Sequence, residues 1–133
     1  MGYRSALEAA GAKVLDFEQF GSYQGTWIAH VELDGVRGFV SGSFGSCSYC
    51  DAFDAEFGYS YSDEPDESYD KRLKEFGMSY LEGFRSHQTM LNEAARDLSW
   101  DCEAEEMVAF VLAKAKEDGA LVIPPAKKDE DDV

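Results

Sequence analysis

A chain of 133 residues with 44% hydrophobic and 14% aromatic side chains holds enough apolar material for one packed core, and too much for a disordered chain. Its formal net charge of −15 opposes direct binding of nucleic acid, which needs a basic surface, and favours a basic protein partner or high solubility. No apolar run approaches the roughly 20 residues of a membrane span, and three cysteines, an odd number, speak against a secreted disulfide framework.

Met1-Gly2-Tyr3-Arg4-Ser5 lacks the apolar centre of a signal peptide, so a cytoplasmic protein with reduced thiols is expected. Tyr3 to Ala12 reads as a short first helix, with Tyr3, Leu7 and Ala10 on one side and Gly11 near its end. Val14, Leu15, Phe17 and Phe20 form an apolar segment expected to be a strand beside Trp27–Leu33. Gly21-Ser22-Tyr23-Gln24-Gly25 is the loop between them.

Trp27, Ala29, Val31 and Leu33 alternate with Thr26, Ile28, His30 and Glu32, which is the period of a strand with two different faces. Asp34-Gly35 then signals a hairpin, because a type I′ turn needs positive φ at both central residues. A two-residue loop sets Leu33 opposite Val36, Glu32 opposite Arg37, His30 opposite Phe39, Ala29 opposite Val40 and Trp27 opposite Gly42. The predicted core face holds Trp27, Ala29, Val31, Leu33, Val36 and Val40, and His30 is expected on the surface. Ser41-Gly42-Ser43-Phe44-Gly45-Ser46 lacks a lysine and a following helix, so it reads as a bulged strand end rather than a phosphate cradle. Phe53, Ala55, Phe57, Tyr59 and Tyr61 alternate with polar or small residues and predict another strand.

Pro65 and the acids around it suit a helix start. Tyr69, Leu73, Phe76, Tyr80, Phe84, His87, Leu91, Ala94 and Leu98 recur at helical spacing. Unbroken, that helix would be about 45 Å long, so a bend or break is expected at Gly77 or Gly83. Ser99 or Asp101 can cap a last helix that buries Met107, Val108, Val111, Leu112 and Ala115 and stops at Gly119. Ala120-Leu121-Val122-Ile123 either adds an edge strand or packs over the core before Pro124-Pro125.

The expected fold is α+β: an antiparallel meander of three or four strands, one face covered by the C-terminal helices, with a short N-terminal helix. Residues 1–125 are expected to make a single domain and 126–133 a disordered acidic tail.

Cys47-Ser48-Tyr49-Cys50 is the one short motif with a mechanism attached, since two cysteines two apart can chelate zinc from one turn. Cys102 and His87 would complete a Cys3His set; the plainer reading is a pair of small residues in a tight connection, with no cofactor. Asp51 and a following strand oppose the lowered thiol pKa that dithiol redox chemistry needs. A small enzyme centred on the Cys47–Asp51 turn is the further alternative, but it is unsupported, because no Ser–His–Asp order or HExxH stands out. No catalytic residue is assigned. The remaining candidates are acids: Asp63, Glu64, Asp66, Glu67 and Asp70 at one helix start, Glu103, Glu105 and Glu106 at another, and Asp54 and Glu56 on the wet side of a strand. Gathered on one face they would dock into a groove lined by arginine and lysine; the plainer reading is a solvated, well-capped surface.

Gly42-Ser43-Phe44-Gly45-Ser46-Cys47-Ser48-Tyr49-Cys50-Asp51-Ala52-Phe53, with Gly21 to Trp27 upstream, resembles small uncharacterised proteins of bacteriophages and mobile elements. The resemblance covers about a quarter of the chain and carries no known catalytic residues. It implies an intracellular role during infection. By analogy with anti-CRISPR proteins that imitate nucleic acid, the expected function is inhibition of a host nucleic-acid-handling or defence system. The expected partner is a basic host protein or complex in the host cytoplasm, without direct nucleic acid or membrane binding. The oligomeric state is open, a homodimer included.

Overall fold

The structure, a computed structural model, describes residues 2–21, 25–45, 67–96 and 103–123. These residues form an α+β fold in chain order: α1 (Tyr3–Ala9), β1 (Lys13–Gly21), β2 (Gly25–Leu33), β3 (Val36–Phe44), α2 (Glu67–Leu81), α3 (His87–Arg96) and α4 (Glu103–Glu117). The expected strand at Phe53–Tyr61, the caps at Ser99 or Asp101 and the tail 126–133 lie outside the described residues. Two compact units divide the chain, Met1–Phe84 and Arg85–Val133.

In the first unit the three strands make an antiparallel meander in the order β1-β2-β3. The β2–β3 register is the one the Asp34-Gly35 turn dictates, with Leu33 on Val36, Glu32 on Arg37, His30 on Phe39, Ala29 on Val40 and Trp27 on Gly42. Asp34 and Gly35 have φ of 53° and 81°, as a type I′ turn requires. The Glu32–Arg37 ion pair closes at 3.1 Å. No bulge interrupts Ser41 to Phe44, so that stretch is regular strand rather than the bulged end expected.

β1 carries the irregularity instead. Val14 pairs with Val31 and Asp16 with His30, which leaves Leu15 as an extra residue. This bulge brings Val14 into phase with Phe17, and both then share the face of Val31, Ala29 and Trp27. Without it Val14 and Phe17 would fall on opposite faces, and Phe20, paired with Thr26, is buried on the other face, so the apolar spacing of β1 shows no clean alternation.

The core gathers on that face: Tyr3, Leu7, Ala12, Val14, Trp27, Ala29, Val31, Val40 and Phe44 are buried together, with Phe76, Tyr80, Leu81 and Phe84 packed against them. Trp27 is its centre. Its ring lies 5.1 Å from Tyr3, 5.3 Å from Phe17 and 5.2 Å from Tyr80, centroid to centroid. Its indole N–H is buried with no hydrogen-bond partner among the described residues. Gly42 is what admits so large a ring, since a methyl there would stand 2.7 Å from Trp27 and 2.8 Å from Tyr80.

Two expectations for the sheet are corrected. Val36, predicted for the core, is 58% exposed, because it sits beside the hairpin turn at the end of the ladder. His30, predicted for the surface, is 1% exposed and stacks on Phe39 at 5.2 Å. Ile28 and Phe39 are also fully buried. The central strand is therefore buried on both faces, and the alternation around His30 does not separate a wet side from a dry one.

The predicted long helix breaks, and it breaks at Gly83 and not at Gly77. Gly83 and Phe84 donate to the carbonyls of Tyr80 and Leu81 at 2.9 and 3.0 Å, tightening the end of α2. Gly77 lies inside α2, where a methyl would overlap the carbonyl oxygen of Ala6. Its role is close approach to α1, and the backbone stays helical. α1 is shorter than expected, ending at Ala9. Gly11 takes φ of 105°, its N–H bonds the Glu8 carbonyl at 3.0 Å and the Ala12 N–H bonds Leu7 at 3.1 Å, a Schellman end.

In the second unit α3 buries Met90, Leu91 and Ala94, and α4 buries Met107, Val111 and Ala115, at the three- and four-residue steps of facing helical stripes. Ser86 caps α3, its hydroxyl accepting from the Thr89 N–H at 3.2 Å. α4 ends like α1: Gly119, with φ of 69°, bonds Lys116 at 3.1 Å and Ala120 bonds Ala115 at 2.8 Å. Ala120–Ile123 is neither strand nor core cover, for Leu121 is wholly exposed and Ile123 77% exposed. Among the described residues no helix is long and apolar enough to cross a membrane.

Candidate functional site

Among the described residues, the second unit holds a cluster of chemistry-bearing side chains that joins distant parts of the sequence. Capped by Ser86, α3 begins at His87 and Gln88, and these two residues reach the far end of α4. His87 Nε2 lies 2.8 Å from Asp118 Oδ2, and the side chains are 13% and 4% exposed. Gln88 uses both ends of its amide on one residue: Oε1 accepts from the Ile123 N–H at 2.7 Å, and Nε2 donates to the Ile123 carbonyl at 2.9 Å. Nε2 also donates to Asn92 Oδ1 at 3.1 Å. Arg85 donates to Glu93 at 2.7 Å just before and along the same helix.

A carboxylate on one ring nitrogen fixes an imidazole's orientation and tautomer, the arrangement that both metal-binding and general-base histidines use. Cys47, Cys50 and Cys102 lie outside the described residues, so of the predicted zinc set only His87 has a described environment. Asp118 and Gln88 were not among the sequence candidates. Asp118 stands before the helix-ending Gly119, a position that reads as a cap, and nothing local in the sequence ties it to a histidine 31 residues earlier.

The acidic candidates divide likewise. Asp54, Glu56, Asp63, Glu64 and Asp66 lie outside the described residues. Glu67 opens α2 and Asp70 is exposed in its first turn; Glu103 opens α4, followed by exposed Glu105 and Glu106. Acids in a first turn complement the partial positive charge of the helix end, at about 0.3–1 kcal/mol each. Asp70, Glu105 and Glu106 make no ion pair among the described residues, whereas Glu8, Glu32, Glu93 and Glu117 each hold an Arg or Lys. The described residues carry fifteen acids and ten Lys or Arg, a net of −5, which leaves −10 of the −15 on the other segments.

An open groove of about 540 Å³ beside β1 has Arg4, Phe17, Glu18 and Gln19 in its lining. Arg4 there is engaged by Glu8 at 3.4 Å and by the Val14 carbonyl at 3.5 Å, which weakens it as an anchor for an anion.

Comparison with known proteins adds no family: no family model, curated protein or solved structure matches this chain.

Proposed function

We propose that this chain is a small, non-enzymatic interaction protein that docks on a basic partner through its acidic surface. The supporting observation is charge without compensation: a net of −15, with Asp70, Glu105 and Glu106 exposed and unpaired among the described residues. Such a field attracts a basic surface over several ångströms and repels other acidic proteins. The resemblance of residues 42–53 to bacteriophage and mobile-element proteins makes a host nucleic-acid-handling or defence complex the fitting target, with the chain imitating nucleic acid in the cytoplasm. Capture of partners from bacterial lysate on the immobilised chain, washed at rising ionic strength, tests this. A basic nucleic-acid-binding protein should be retained and its affinity should fall at least about tenfold between about 50 and 300 mM salt, as screening requires. Retention indifferent to salt would remove the electrostatic mechanism.

A further inference from the structure

We infer that residues 120–123 are a docking strand, presented for addition to an open sheet edge of the basic partner; this rests on the function proposed above. The segment begins where the Schellman end at Gly119 stops α4 and fixes the Ala120 N–H on Ala115 at 2.8 Å. It ends at Pro124-Pro125. Between these points Leu121 is fully exposed, Val122 partly and Ile123 77% exposed, an out-in-out alternation of period two. Valine and isoleucine favour strands, yet no strand forms here.

Gln88 explains how the segment is held ready. Its amide bonds both backbone groups of Ile123, as a neighbouring strand does for a hydrogen-bonded pair residue. Leu121 and Val122 make no backbone hydrogen bond among the described residues. A segment with one residue already paired, two residues unpaired and two apolar side chains turned to solvent matches what strand addition uses: main-chain bonds for affinity and alternate side-chain pockets for specificity. Because Gln88 and Gly119 hold the segment at both ends, less conformational freedom is lost on binding.

Charge selects the occupant. A second copy of this chain would bring another −15 to the contact and be repelled, whereas a basic protein would be drawn in. The occupant is therefore a sheet edge flanked by lysine or arginine.

The test uses the full chain with a photo-crosslinking phenylalanine analogue replacing Leu121, incubated in bacterial lysate and mapped by mass spectrometry. Beside it runs the variant Leu121→Ser with Ile123→Ser, and Val36→Ser as a control that removes an exposed apolar residue elsewhere. All of these positions are exposed, and thermal melts verify folding. The expected result is crosslinking to an edge strand of a basic protein. The double variant should lose at least about tenfold in retention of that protein, the scale expected for two buried apolar side chains, with Val36→Ser unchanged. Crosslinks to another copy of the chain, crosslinks to a helical groove, or undiminished retention by the double variant would each overturn the docking strand while leaving a salt-sensitive acidic binder standing. Capture of no basic protein by the unmodified chain would overturn both.

Discussion

Gly42 and Gly119 are both needed, for opposite physical reasons, and one substitution separates them. At Gly42 the backbone is ordinary and the space is not, since a methyl would press on Trp27 and Tyr80 at 2.7–2.8 Å. At Gly119 the space is open and the backbone is not, with φ of 69° and nothing within 4 Å of an added methyl. Gly42→Ala should cost about 1–3 kcal/mol by overpacking, and Gly119→Ala about 1 kcal/mol by left-handed strain alone. Urea denaturation measures both, and a neutral Gly42→Ala would show that the rings do not close over that position. The two glycines differ in legibility. Gly42 opposite Trp27 follows from hairpin register, and Gly119 follows from its place after an apolar helical stripe. Gly77 does not follow from either: it resembled a helix breaker, and its true use, admitting the Ala6 carbonyl, depends on which helix lies beside it. His30 was misread for the same reason, because a polar residue in an alternating strand reveals nothing about what covers its face.

Among the elements, local chemistry sufficed wherever a turn or an end was encoded by consecutive residues. The Asp34-Gly35 hairpin and the helix end at Gly119 are of this kind, whereas the break at Gly83 was expected equally at Gly77, which stays helical, and α1 ends before the expected Ala12. The bulge at Leu15 is not, because the extra residue is recognisable only once Val31 and His30 supply a partner strand. The Gln88–Ile123 clamp is further out of reach, spanning 35 residues with no periodicity to announce it. It carries a direct expectation: Gln88→Ala removes three hydrogen bonds of about 1 kcal/mol each, two of them to Ile123. The Ile123 amide should then exchange with solvent at least about tenfold faster while amides in the buried stripe of α3 stay protected. Hydrogen exchange followed by NMR reads this residue by residue. Unchanged exchange at Ile123 would mean that the clamp does not hold the segment in solution, and would also remove the preorganisation on which the docking strand relies.

For the molecule as a whole, the charge balance has a consequence that needs no partner. A net of −15 repels itself in the compact state. The four described Arg/Lys–carboxylate pairs offset little of it, since surface pairs contribute about 0–1 kcal/mol each. Raising NaCl from about 10 to about 300 mM shortens the Debye length from about 30 Å to below 8 Å, and Tm should rise by a few degrees, a shift equivalent to roughly 1 kcal/mol. A scanning-calorimetry series in which Tm falls with salt would indicate that specific ion pairs outweigh the general repulsion. From the amino-acid order alone one could derive the α+β class, the meander, the β2–β3 register and the excess of negative charge, because strand period, turn φ and formal charge are properties of neighbouring residues. Only the folded chain decided that both faces of β2 are buried, that Gly77 admits a helix, and that His87 meets Asp118 and Gln88 meets Ile123. These contacts join residues far apart in sequence, and their energies exist only when packing has brought the partners within a few ångströms of one another.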